Sequence, residues 1–311
     1  MSIPKLPSLK KIFLIILSVP FFVILGRLCH RATDGFALTR MTNPLPLDAE
    51  FIPPSLSEAE LREVHGILAQ PFYYLSCGGQ SYVFLSQDGR YVIKFSKFHH
   101  LRVPPWITYL PLPKSLEEYR QKKIVKKDFV LKRTLRSYVV AYNYFKQETG
   151  IVYHHLQKTN DFHQDLVFFD KLGYKYEISL DDYAFVLQKR GMSTLHMLQS
   201  LMKEGRQHEA QEKLEELLQL ALWRCQKGLA DRDFKFKSNL GFIEGKAAQI
   251  DLGSLSLDER TTNPDFYYTE VKRAGLVLRD WLQQVHPELV AGFELSLNKL
   301  QKPYAGGVST H

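Results

Sequence analysis

The order of predicted elements points to an α+β chain in which a sheet-rich lobe precedes a helical lobe. Three observations carry this. Residues 72–75, 81–85 and 91–95 are short runs of aromatic and β-branched residues, the last two joined by a turn at Gln87-Asp88-Gly89-Arg90. Leu214, Leu217, Leu218, Ala221, Leu222 and Cys225 make one apolar helical stripe that stops at Gly228. The 311 residues suffice for one large domain or two lobes.

The remaining elements follow in order. Residues 32–54 are rich in Pro and Thr, aperiodic, and read as a linker. Ser57 with Glu60 three residues later forms a capping box, which predicts a short helix within 55–70. Residues 98–113 carry four prolines and read as an irregular insertion. A charged helix is predicted over about 116–149, ending at Gly150, with Arg120, Lys122, Lys123, Lys126, Lys127, Lys132, Arg133 and Arg136 in its basic part. Strands return at 151–156, 166–171 and 184–188. A hairpin is predicted from 240–243 and 247–252 around Glu244-Gly245-Lys246, then two helices over 266–300 divided near His286-Pro287.

Composition excludes several classes. Hydrophobic residues are 45% and charged residues 24%, which rules out a disordered tail, a collagen-like rod and a polytopic membrane protein. A net charge of +8 favours an anionic partner. Cys29, Cys77 and Cys225 are unpatterned, so neither a disulfide framework nor a zinc site is expected. Residues 12–26 contain no charge and are flanked by Lys10, Lys11 and Arg27. This segment predicts a single-pass membrane helix, with a cleaved signal peptide as the alternative. The expected organisation is a membrane segment at 1–31, a linker with a short helix at 32–70, the sheet lobe at 71–188 and the helical lobe at 189–311.

Four segments carry chemistry. Gly78 and Gly79, followed by Gln80 and Ser81, would let backbone approach a phosphate closely. Lys94 lies eleven residues after Val83, between Ile93 and Phe95, and in an apolar strand it needs a partner. Asp231, Arg232 and Asp233, with Asn239 beyond, follow the helix stop and suit a base and a metal ligand. Asp251, ahead of Leu252 and Gly253, ends an apolar strand as a second metal ligand would.

Together these segments resemble the protein-kinase-like superfamily, in the manner of its compact atypical members. Val92-Ile93-Lys94 is similar to V-A-I-K, Arg232-Asp233 with Asn239 to H-R-D-x-x-x-x-N, and Asp251-Leu252-Gly253 to D-F-G. The resemblance covers about residues 72–300 and implies a protein-kinase-like two-lobe fold. It implies ATP beneath Gly78, Gly79, Gln80 and Ser81, with Lys94 on the phosphates and Gln188 at the hinge lining the adenine pocket. It further implies Mg²⁺ on Asn239 and Asp251, with Asp233 as base and Asp231 as the alternative base. Lys235 and Lys237 would steady the transferred phosphoryl group or the acceptor.

Two departures stand out. Five residues separate Asp233 from Asn239 where the family has four, and counting back from Ile151 finds Tyr138 and its neighbours, not the helix Glu that pairs with the strand lysine. Lys94 would then turn to Glu117 or Glu118, or lack a partner. The expected function is ATP-dependent phosphorylation of a hydroxyl on a small molecule, sugar or lipid. The alternatives are a membrane-anchored pseudokinase acting as a nucleotide-binding or interaction module, and a protein Ser/Thr kinase. No nucleic-acid partner is expected. The body is placed in the cytosol, with export after signal cleavage as the alternative.

Overall fold

The computed structural model describes residues 9–300 apart from 43–47, 105–106 and 108, and the side chains of 9–17 and 19 lie outside that description. Helix α1 spans Leu9–Thr33, with Pro20 inside it. Among the described residues no helix is long and apolar enough to cross a membrane, so the structure does not support the membrane helix expected at 12–26. The described part of α1 exposes Phe21, Phe22, Val23, Ile24, Leu25 and Leu28.

Helix α2 (Glu58–Leu68) starts with the capping box read from the sequence, Ser57 accepting from the Glu60 amide and Glu60 from the Ser57 amide. Strands β1 (Phe72–Cys77), β2 (Ser81–Ser86) and β3 (Tyr91–Ser96) form a meander. After a short α3 (Phe98–Leu101) comes the long α4 (Lys114–Tyr144). The predicted single helix breaks at Phe145, whose ψ of 30° with φ −142° is not helical, and resumes as α5 (Lys146–Thr149). Gly150, at φ 62°, caps it in the left-handed region that favours glycine. Strands β4 (Ile151–His155), β5 (Asp165–Phe169), β6 (Lys175–Ser179) and β7 (Phe185–Lys189) complete a seven-stranded sheet in the order β4-β7-β3-β2-β1-β5-β6. All its neighbours are antiparallel except β1 and β5, which run parallel.

The helical part opens with β8 (Met192–Ser193), α6 (Thr194–Lys203) and α7 (Gln207–Gln226). The apolar stripe of α7 is buried as its spacing requires. Strand β9 (Leu229–Asp231), the hairpin β10 (Leu240–Ile243) and β11 (Lys246–Gln249), and β12 (Leu255–Leu257) then place the chemical segments. Helices α8 (Pro264–Val285) and α9 (Val290–Lys299) follow, with Pro287 between them as expected.

Strand alternation sorts two cores. Ile93, Phe95, Phe185 and Leu187 face a cluster with Val64, Ile67 and Leu68 of α2. Val186, one residue out of phase, joins the other cluster, where Leu131, Leu135, Tyr138 and Ala141 of α4 meet the helical part. Helix α4 therefore packs on both lobes. Residues 34–42 are not a free linker. Phe36 packs edge-on against Tyr82, Phe84, Phe168 and Tyr176, Met41 is fully buried, and Tyr82 donates to the Gly35 carbonyl at 2.6 Å. A segment aperiodic in sequence is thus a strap across the sheet.

Candidate active site

Lys94 lies on the α4-facing side of β3, opposite Val186 of β7. It is half-buried, and its ammonium donates to the Ile250 carbonyl at 2.8 Å. Burial pushes its pKa below the ordinary lysine value, and the Asp251 carboxylate opposes that shift. No acid pairs with Lys94 among the described residues. Glu117, one partner considered from the sequence, is held by Arg120 and by Gln121. Tyr138 of α4 occupies the region where a glutamate was sought. Burial raises its phenol pKa, the Asp251 charge adds to this, and a hydrogen bond with Ser96 opposes it.

Asp251 is exposed at the end of the β11 segment, and one carboxylate oxygen accepts from the Gly253 amide at 3.2 Å. Asn239 is joined to the same segment through its carbonyl, which accepts from the Ile250 amide at 2.8 Å and the Asp251 amide at 3.2 Å. Lys94, Asn239 and Asp251, distant in sequence, thus converge on Ile250. The glycine loop completes the group. A side chain at Gly253 would meet Gln80 Oε1 at 2.6 Å, so the Gln80 side chain reaches over the Asp251-Leu252-Gly253 turn. Gly79 has open space around it. Ser81 opens β2, and its carbonyl accepts from the Gly78 amide at 3.0 Å.

Asp231 and Asp233 separate sharply. Asp231 is buried on β9, opposite Leu255 of β12. It accepts from Gln249 Nε2 at 2.7 Å, from Asn239 Nδ2 at 3.3 Å, from the Asp233 amide at 3.1 Å, and from the Ser254 hydroxyl. Fully buried Arg224 lies 3.7 Å away, pairs with Glu270, and stacks over the Phe234 ring at 4.1 Å. Asp231 therefore orients Asn239 from beneath. Asp233 is exposed and pairs with Lys235 at 2.7 Å. The longer loop between Asp233 and Asn239 is accommodated by burying Phe234 and Phe236, whose rings lie 5.0 Å apart, and by a turn in which the Asn239 amide donates to the Lys235 carbonyl at 2.9 Å.

Gln188 sits in the sheet, with its amide donating to the Thr149 carbonyl at 2.7 Å and its buried Oε1 without a partner. A cavity of about 570 Å³ lies beside the following residues, lined by Leu75, Arg190, Gly191, Met192 and Phe242 among others.

Sequence reasoning missed Lys97, Arg224, Gln249 and Ser254. Lys97 is buried beneath the glycine loop, donates to the Gly78 carbonyl and to Cys77 Sγ at 2.6 Å each, and lies over the Tyr82 ring. Its position three residues after Lys94 was the available signal. Gln249, two residues before Asp251, gave none beyond its place in the strand.

Among the described residues no group of three His, Cys, Asp or Glu could hold a metal. A magnesium ion shared with phosphates needs only one or two protein oxygens. One Asp251 oxygen without a recorded partner and Asn239 Oδ1, which faces the Ser238 hydroxyl at 2.8 Å, fit that requirement.

No family model and no curated protein match the chain. The medium-resolution structure of the bifunctional kinase-methyltransferase WbdD is similar over 73% of this chain and 44% of its own, with 16% identity and a TM-score of 0.31. A co-crystal of WbdD with a kinase inhibitor gives 72% and 45%, with 15% identity and a TM-score of 0.31. The chain thus spans less than half the length of these structures.

Proposed function

We propose that the chain is an ATP-dependent phosphotransferase of protein-kinase-like architecture, acting on a hydroxyl of a small molecule, sugar or lipid. The observation that carries this reading is the 2.8 Å link from Lys94 to the Ile250 carbonyl, because it joins the strand lysine to the segment holding Asn239 and Asp251. Bound Mg²⁺-ATP would supply the phosphoryl group and the metal charge that neutralises it. Lys94 and loop amides other than that of Gly78, which donates to Ser81, would hold phosphate oxygens, and Asn239 and Asp251 would hold the metal. The cavity beside Gly191 and Met192 suits a base. Asp233, exposed and free to turn, takes the proton of the acceptor hydroxyl as that oxygen bonds to the γ-phosphorus and ADP leaves.

A second reading, a pseudokinase, is favoured by one observation: Tyr138 stands where a glutamate partner for Lys94 was sought. One experiment separates the two. Mg²⁺-ATP is expected to raise the melting temperature of the wild type, and Lys94→Ala to abolish that rise. Phosphoryl transfer or hydrolysis then marks the enzyme, whereas a shift without either marks the pseudokinase. No shift at any Mg²⁺ concentration overturns both. The proposal includes a membrane-surface position for α1, supported by exposed Phe21, Phe22, Ile24, Leu25 and Leu28. Full-length chain that fails to float with liposomes would remove it.

A further inference from the structure

Resting on the phosphotransferase reading, we propose that the acceptor is an anionic amphiphile, an alcohol bearing a phosphate or carboxylate next to an apolar chain. It would lie in the cavity between Asp233 and α8. That cavity measures about 320 Å³, enough for a headgroup. Four cations line it, Arg232, Lys235, Lys237 and Arg273, and Asp233 is its single carboxylate.

The charges do not cancel within the protein. Asp233 is matched by Lys235 at 2.7 Å. Arg232, Lys237 and Arg273 have no ion-pair partner among the described residues. Burial pushes the Arg232 guanidinium pKa below its ordinary value, Arg133 of α4 adds to the shift, and the Asp231 charge opposes it without reversing it. Cations gathered around one concave surface repel one another until an anion enters. A neutral sugar would leave that repulsion standing.

The other wall is apolar. Ala274, Val277 and Leu278 of α8 line it, and Val277 is 53% exposed at its mouth. Phe266, Arg273 and Val277 fall at i, i+7 and i+11, so one helix face carries an exposed aromatic ring, a cation and the exposed valine. An acyl chain laid along this face would cover Phe266 and Val277 while its headgroup met Arg273. The hydroxyl would then stand beside Asp233, the proposed base. A polyanion would need an extended basic track, whereas these cations ring one cavity with an apolar side.

The test uses the full chain and three probes, the two amphiphiles kept below their micelle concentrations. Lysophosphatidylglycerol carries hydroxyl, phosphate and acyl chain, glycerol 3-phosphate lacks the chain, and decyl glucoside lacks the charge. Calorimetric titration is expected to show the lysolipid binding at least about tenfold more tightly than either of the others. Replacing both Lys237→Met and Arg273→Met should cost about tenfold or more for the lysolipid and leave decyl glucoside unchanged. Val277→Ser, which removes apolar surface without adding charge, should weaken the lysolipid and spare glycerol 3-phosphate. Decyl glucoside binding as tightly as the lysolipid overturns the anionic half, and glycerol 3-phosphate doing so overturns the apolar half. A lysolipid affinity indifferent to all three substitutions overturns the site. Transfer is read separately: the expected binding pattern without phosphorylation by Mg²⁺-ATP retains the ligand class and overturns the phosphotransferase premise. Transfer to a neutral sugar, indifferent to Lys237 and Arg273, retains the premise and overturns the acceptor.

Discussion

Two acids two residues apart in one loop meet opposite fates. Asp231 has 5% of its surface exposed and is surrounded by donors from β11, the Asp233 amide, Ser254 and α7. The Asp233 side chain is 70% exposed and touches one flexible lysine. A buried carboxylate surrounded by donors is held rigidly and is not free to move a proton in and out of a substrate. An exposed one costs little to reorient. The comparison teaches that burial and donor count, more than residue type or loop position, divide support from chemistry here.

Breaking the buried side should have the largest effect. Asp231→Ala leaves Arg224 buried without one of its two acids and takes the acceptor from Asn239 Nδ2 and one of two acceptors from Gln249 Nε2. Removing one partner of a buried pair typically costs about 3–5 kcal/mol, to be read as a lower denaturant midpoint at constant slope. A loss below about 1 kcal/mol would show that the buried network contributes little.

Asp251→Asn comes next. On the proposed function it would remove a charged metal ligand, so a fall in rate of about 10²–10³ is expected, with weakened Mg²⁺-ATP affinity and a melting temperature near the wild type. Unchanged nucleotide affinity would exclude Asp251 from the metal site. Asp233→Asn sharpens the contrast with Asp231 most directly. Turnover should collapse while the Mg²⁺-ATP shift survives, and stability should move by no more than about 0.5 kcal/mol, as for ordinary surface changes. Equal destabilisation by Asp231→Asn and Asp233→Asn would erase the distinction. The smallest effect is expected for Lys235→Met, which breaks an exposed pair worth about 0–1 kcal/mol in stability.

Much of this framework was legible in the sequence. The capping box at Ser57 and Glu60, the turn at Asp88-Gly89, the α7 stripe and the stop at Gly228 are local signals, and each appears in the structure near its expected place. Strands β6, β8, β9 and β12 were not read. Strands β9 and β12 have three residues each and exist because they pair with each other. The strap at 34–42 looked like a linker because its partners, Tyr74, Tyr82 and Phe168, lie far along the chain. Lys94 was singled out correctly as a lysine needing a partner, but the partner is a backbone carbonyl, which carries no mark in a sequence.

The sequence by itself determined the starts and stops that carry a local signal, such as the cap at Ser57, the turn at Gly89 and the stop at Gly228, because capping, turn chemistry and periodicity act over a few residues. It also singled out Lys94, Asn239 and Asp251 as candidates by residue type and position. Only the tertiary structure decided that these three meet at Ile250, that Asp231 lies beneath Asn239 while Asp233 faces solvent, and that four cations ring a cavity against α8. Those outcomes depend on desolvation and on donors supplied from remote segments. Both are properties of how elements pack, and neither is written in the order of neighbouring residues.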